Sequence, residues 1–218
     1  MTGVKETGAG RRVRGLDADQ RREQRRDQLL ATALDLFATK GYQSVSIEQI
    51  CQTAYVSTKS FYELFDSKEA CYLALLQQVS EQIEARMQEV LHAEPAGLDD
   101  LVAAFAHTLV DDPRIAHVTF GEASGISRAV ERQRRVNRRW AASFLETAWK
   151  QYGVAPSRRS RRLDVHRIAI GTIGGLFDLI ADWLHDSDPA VAPDVATLIA
   201  DLTAFHRIVC AGIAAPRG

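Results

Sequence analysis

The chain has 218 residues, 46% of them hydrophobic and 25% charged, with a formal net charge of -1. That is enough apolar material for one sizeable core or two small ones, and a near-neutral sum argues against a protein that coats nucleic acid without regard to sequence. No apolar run reaches the roughly 18 residues a membrane span needs, and the charged N-terminus has no apolar stretch behind it, so a cytoplasmic protein with no membrane partner is expected. Cys51, Cys71 and Cys210 are odd in number and lack a CxxC spacing, which suggests neither a disulfide framework nor a zinc site. Cys51 and Cys71 fall on apolar helix faces and read as buried thiols.

Residues 1–18, glycine-rich and without periodicity, read as a disordered basic arm ending in Arg11, Arg12 and Arg14. Arg21, Arg22, Arg25 and Arg26 follow as the first helix begins. Such an arm suits the DNA backbone or a narrow minor groove; for any single arginine, a solvated tail partly neutralised by Asp17, Asp19 and Glu23 serves as well. The first helix is expected over 19–39, its core stripe Leu29, Leu30, Ala33, Leu34 and Phe37, with Gly41 as its stop.

The stretch 46–69, SIEQICQTAYVSTKSFYELFDSKE, spells out three helix starts. Ser46 with Gln49 forms a capping box, Val45 and Ile50 sit at the staple positions, and Ile47, Ile50, Cys51 and Ala54 make one apolar stripe. Val56, Ser57 and Phe61 repeat the device, and Asp66 with Glu69 reads as a further box that opens a longer helix. Two short helices joined by Ala54, Tyr55 and Val56 make a helix-turn-helix, which presents its second helix outward. On that helix Phe61 and Phe65 share one side while Lys59, Ser60, Tyr62 and Glu63 project from the other. Donors to phosphate and to base edges lie in this outward set; a helical corner with a solvated face fits the bare pattern equally well.

From Ser67 a long amphipathic helix is expected to 92, through Cys71, Leu75, Leu76, Val79, Ile83, Met87 and Val90. It belongs to both halves of the chain and acts as a lever, the only continuous mechanical link that the sequence displays. After a loop at 92–97 come helices at 98–110, at 114–123 behind the breaker Asp111-Asp112-Pro113, and at 127–152 with Val130, Val136, Trp140, Phe144, Leu145 and Ala148 facing inward. Arg128, Arg132, Arg134, Arg135, Arg138 and Arg139, then Arg158, Arg159, Arg161 and Arg162, make a second footprint for nucleic acid or a solvated face and loop. The last two helices, 160–185 and 194–214, are broadly apolar. Gly171, Gly174 and Gly175 inside the first of them call for close approach of another helix or room for a ligand. Neither helix can bury all its apolar surface in its own domain, so two such pairs are expected to form a four-helix bundle in a homodimer.

Ala31, Leu34, Phe37, Gly41, Tyr42, Ser46, Ile47, Ile50, Ala54, Val56, Ser57, Phe61, Tyr62, Phe65, Lys68 and Glu69 stand in the order and spacing of the TetR family of transcriptional regulators, which the N-terminal third of the chain resembles. Tyr55 departs from the pattern: many members have glycine there, and a non-glycine residue at positive φ costs roughly 1 to 2 kcal/mol, which leaves open a turn of another build. Leu64 stands where a polar or aromatic residue is frequent.

The resemblance implies an all-α fold with an arm (1–18), a three-helix helix-turn-helix DNA-binding domain (19–66) and a C-terminal ligand-binding and dimerisation domain (67–218). It implies the same dimer, and a small-molecule effector held among the middle helices. Phe105, His117, Phe120, Trp140, Phe144 and Phe177 are the candidates for that wall, although aromatics at helical spacing also read as plain core. A dimer sets the target as an inverted repeat with half-sites about 34 to 36 Å apart or a multiple. Ser46, Tyr62 and Lys68 would serve phosphates, Thr58, Lys59 and Ser60 base edges, and Lys59 a guanine, with Ser57 also among the DNA-binding residues. No enzyme, cofactor or metal is expected: of the ExxH units that a di-metal helical protein requires, only Glu89 to His92 appears, and His117, His166, His185 and His206 have no repeating ligand partner. The competing class is a helical ligand-binding or interaction module that reads no operator.

Overall fold

The structure, a computed structural model, describes residues 18–93, 97–120, 126–155, 164–186 and 194–214. The arm, the arginines at 158–162 and the loop before the last helix lie outside the described residues. All regular structure among the described residues is helical: α1 (Ala18–Lys40), α2 (Ile47–Thr53), α3 (Thr58–Tyr62), α4 (Lys68–His92), α5 (Leu98–Val110), α6 (Pro113–Phe120), α7 (Arg128–Gln151), α8 (Val165–Asp186) and α9 (Val195–Ala214).

Local chemistry accounts for most of these ends. Ser46 Oγ accepts from the Gln49 amide at 3.1 Å and Gln49 Oε1 accepts from the Ser46 amide at 2.8 Å, the reciprocal box that opens α2. Ser57, Ser67, Ser127 and Asp194 cap α3, α4, α7 and α9 in the same way, each accepting from the amide three residues on. The expected cap of α4 is thereby corrected: the cap is Ser67, one residue past Asp66, so Glu69 does not close a box. Gly41, at φ 74°, stops α1, and its amide donates to Phe37 O at 3.1 Å.

Two cores form. The first joins Leu29, Leu30, Phe37, Ile50, Cys51, Phe61 and Phe65 of the head to Cys71, Tyr72, Leu75, Leu76 and Val79 of α4, and continues to Val118 of α6 and Val130 of α7. Leu64 packs against this core. The second core gathers Met87 and Leu91 of α4 with the apolar stripes of α5, α7, α8 and α9. Thus α4 is shared along its length, and Ile83 touches both cores. It is not the only link. α6 packs on α1, Arg114 Nη1 reaches Asp35 Oδ1 at 2.6 Å across the two, and Tyr72 Oη donates to Val118 O at 2.9 Å. Burial pushes the Tyr72 phenol up to about 12, with the Arg134 guanidinium opposing.

On α7, Val136 is 57% exposed, against the inward place expected for it. Within α8, a Cβ at Gly175 would lie 2.7 Å from Phe205 Cζ, so the glycine there serves close approach of α9; at Gly171 and Gly174 the space is open. Both α8 and α9 are long and apolar enough to cross a membrane by length and composition alone. They pack on each other, on α7 and on α5, and their exposed faces carry Asp178, Asp182, Asp201 and Arg207.

Candidate DNA-binding surface and internal cavity

The head presents α3 as an exposed tip. Phe61 and Phe65 are buried beneath it, whereas Ser57, Thr58, Lys59 and Tyr62 are exposed and Ser60 is half-buried. Ser57 Oγ donates to Ser60 Oγ at 3.0 Å, which leaves the Ser60 proton to donate outward. Thr58 hydrogen-bonds the Cys51 thiol, opposing the burial that pushes that thiol up. Ser46 is exposed and its oxygen caps α2, so its O–H remains a donor.

The turn between α2 and α3 is a Schellman motif: Val56 N donates to Cys51 O at 3.0 Å and Tyr55 N to Gln52 O at 3.3 Å. It places Tyr55 at φ 53°, the left-handed conformation that glycine adopts without cost. The turn is therefore the glycine-type turn in spite of its tyrosine, whose ring stands 94% exposed. From α1, Gln28 Nε2 donates to Ala54 O at 2.7 Å and braces the turn.

Lys68 departs from its expected freedom to meet a phosphate. Its Nζ donates to Tyr42 O at 2.9 Å and to Val45 O at 2.8 Å, and lies 4.3 Å from the centre of the Tyr42 ring. Two of its three donors are engaged in tying α4 to the loop before α2, and burial lowers its pKa.

In the body, a cavity of about 390 Å³ opens between α4, α5, α6, α7 and α8. Phe105, Phe120, Trp140 and Phe177 line it, with Phe105 and Phe177 stacked at 6.0 Å. Phe144 lines a second, apolar cavity of about 40 Å³, which shares Phe105 and Trp140 with the first. His117 lines neither: it is exposed, because α6 turns Ala116 and Val118 inward. Sequence reasoning missed the polar part of the wall, chiefly Arg134, Thr119, Asn137 and Glu84. In the sequence Arg134 stands among the exposed arginines of 128–139, and its place at i+4 from buried Val130 is the signal that sets it apart. Arg128, Arg132, Arg135, Arg138 and Arg139 are indeed exposed along α7. Among the described residues no cluster of His, Cys, Asp and Glu could hold a metal ion.

An all-helical chain with an outward helix-turn-helix tip and a lined cavity in a second helical layer defines a class, that of helix-turn-helix proteins with a helical body. Residues 29–75 match the family model described as "Bacterial regulatory proteins, tetR family". The chain is 36% identical over 78 residues to the HTH-type transcriptional regulator TcmR of Streptomyces glaucescens, a match covering 36% of this chain and 33% of that protein. It is 31% identical over 80 residues to the HTH-type transcriptional repressor NemR of Escherichia coli, covering 37% of this chain and 40% of that one. The match thus spans well under half the length of these relatives. The crystal structure of the transcriptional regulator FadR from Bacillus subtilis in complex with stearoyl-CoA shares the fold, with a TM-score of 0.67 and 21% identity over 86% of this chain and 98% of that one. The helix-turn-helix head, residues 29–75, is thus similar to that of the TetR family of transcriptional regulators.

Proposed function

We propose that the chain is a homodimeric, ligand-responsive, cytoplasmic regulator that reads an inverted-repeat operator, and a repressor released when a small molecule enters the 390 Å³ cavity. The observation that carries this reading is the coexistence of the exposed tip Thr58–Tyr62 on α3 with the cavity wall Leu76, Val79 and Ile83 on α4, the helix that starts a few residues after that tip. Thr58, Lys59 and Ser60 address base edges, while Ser46 and Tyr62 hold register on phosphates and Ser57 stands beside them on the exposed tip. Lys68 keeps one donor for a phosphate. The repressor sign and the effector are supported by relatives: NemR is named a repressor and FadR holds stearoyl-CoA.

The dimer rests on α8 and α9. The outer face of α9 bears Ala200, Ala204, Ala211 and Gly212 beside Ile208, which is 72% exposed, and small residues let a second helix pair approach closely. A two-fold pair of α3 helices then meets half-sites in successive major grooves.

Selection of duplexes from a random pool by the full-length protein, with sedimentation to give its mass, tests the reading. The expected result is an enriched inverted repeat bound by a dimer. A monomer, or a pool that returns no consensus, would leave the chain as an interaction module that reads no operator. Lys59→Ala should cost about 1 to 3 kcal/mol on the selected duplex and relax one position.

A further inference from the structure

The cavity has a polar corner, built on Arg134 and Thr119, in which two buried side-chain atoms are left without a partner although Arg134 also hydrogen-bonds Tyr72. Arg134 Nη2 donates to Thr119 O at 2.8 Å, but Arg134 Nε is buried and has no hydrogen-bond partner among the described residues. Thr119 Oγ1, on the same wall, is likewise buried and unpartnered. Buried polar groups are normally satisfied, and two orphans in one cavity indicate a group that completes them. Nε and Nη2 form the side of the guanidinium that takes a carboxylate as a fork; the protein itself uses this fork where Arg207 holds Asp99 and Arg114 holds Asp112.

The carboxylates on the wall leave that corner to a ligand. Asp178 and Arg138 are exposed, where the cavity opens. Glu131, half-buried, lines the same wall, and Arg134 Nε has no partner among the described residues, Glu131 included. Burial, and then Glu81, push the Glu84 carboxyl up, away from the charged form. The same cavity is lined by Phe105, Phe120, Trp140 and Phe177, faces suited to a planar ring.

Resting on the effector reading of this cavity, we propose that its ligand is a ring-bearing hydrophobic carboxylate, and that the carboxylate engages Arg134 on the Nε and Nη2 fork, drawing Nη2 from the Thr119 carbonyl. That carbonyl is at the C-terminal turn of α6, where Tyr72 holds the neighbouring carbonyl of Val118. The other end of α6 carries Arg114, paired with Asp35 of α1. Arg134 is thus the residue through which ligand charge reaches the head.

The test uses the full-length protein with 2-naphthoate, indole-3-acetate and 4-phenylbutyrate, and with the amide and amine counterpart of each. Titration calorimetry should show at least one carboxylate binding tenfold or more tightly than its amide and amine, and Arg134→Lys, which keeps charge and loses the fork, should erase that preference. On the selected duplex the same carboxylate should weaken binding at least tenfold in the wild type and less than twofold in Arg134→Lys, whose thermal unfolding is checked alongside. Amides or amines that bind as tightly as the acids would overturn the ligand class while leaving the cavity an effector site. An equal response of wild type and Arg134→Lys would remove Arg134 from the coupling. If none of the nine compounds binds, the effector reading of the cavity fails, and this inference with it.

Discussion

Ser127 Oγ donates to Glu69 Oε1 at 2.7 Å while accepting from the amide of Val130 at 3.2 Å. One hydroxyl therefore caps α7 and ties its first residue to the first turn of α4, beside the head. Neither partner signals the other in the chain, since they stand 58 residues apart. Ser127→Ala should lose about 1 kcal/mol from the cap alone. In a double-mutant cycle with Glu69→Ala, measured by urea unfolding, a further coupling of about 0.5 to 1.5 kcal/mol is expected. Strictly additive effects would reduce the contact to a cap.

The left-handed Tyr55 stores strain in an exposed position. Tyr55→Gly removes the Cβ conflict worth roughly 1 to 2 kcal/mol and gives back part of it through the freer unfolded chain. Thermal unfolding should show a net gain of about 0.5 to 1 kcal/mol. A loss would mean that the ring makes a contact that its exposure does not suggest.

Lys68→Met tests whether the lysine braces the head. Removing it strips Tyr42 O and Val45 O of their side-chain donor, and stability should fall by about 1 to 3 kcal/mol in urea, with DNA absent. A side chain waiting only for phosphate would leave unfolding unchanged.

His206 is 1% exposed, and its Nε2 accepts from Trp149 Nε1 at 2.9 Å. An imidazolium would turn that acceptor into a donor facing a donor. Burial, opposed by the charge of Asp99, holds the folded-state pKa below the ordinary 6.5. Above pH 6.5 neither state carries the proton and the contribution is complete. As pH falls below that value the unfolded chain takes up a proton that the folded one refuses, so stability declines until the folded pKa is passed. Between about pH 6.5 and 5, unfolding free energy should slope more steeply with pH in the wild type than in His206→Gln. Identical slopes would show that His206 does not titrate differently on folding.

Much of the fold is legible in the chain because helix ends are local. The Ser46 box, the Ser57 and Ser127 caps and the Gly41 stop each involve residues within a few positions of one another, and the 3.6-residue stripes of α1, α4 and α5 follow from the same short range. Those signals suffice for an all-helical chain with an exposed α3 tip. Even the misplaced cap, Ser67 in place of Asp66, is an error of one residue.

What tertiary structure decided is where long side chains with two possible destinations go. Lys68 and Arg134 carry charge and read as surface groups, yet each finds backbone carbonyls of another segment, Tyr42 and Val45 for one and Thr119 for the other. His117 and Val136 read as inward and stand in solvent, because a helix's rotation about its axis is set by the surfaces it meets. The sequence by itself determined which segments coil and which one faces outward, since caps and stripes act over a single turn. The second link through α6 and the cavity, with the unpartnered Nε of Arg134 on its wall, arise only when segments tens of residues apart are packed together, and no local pattern encodes that meeting.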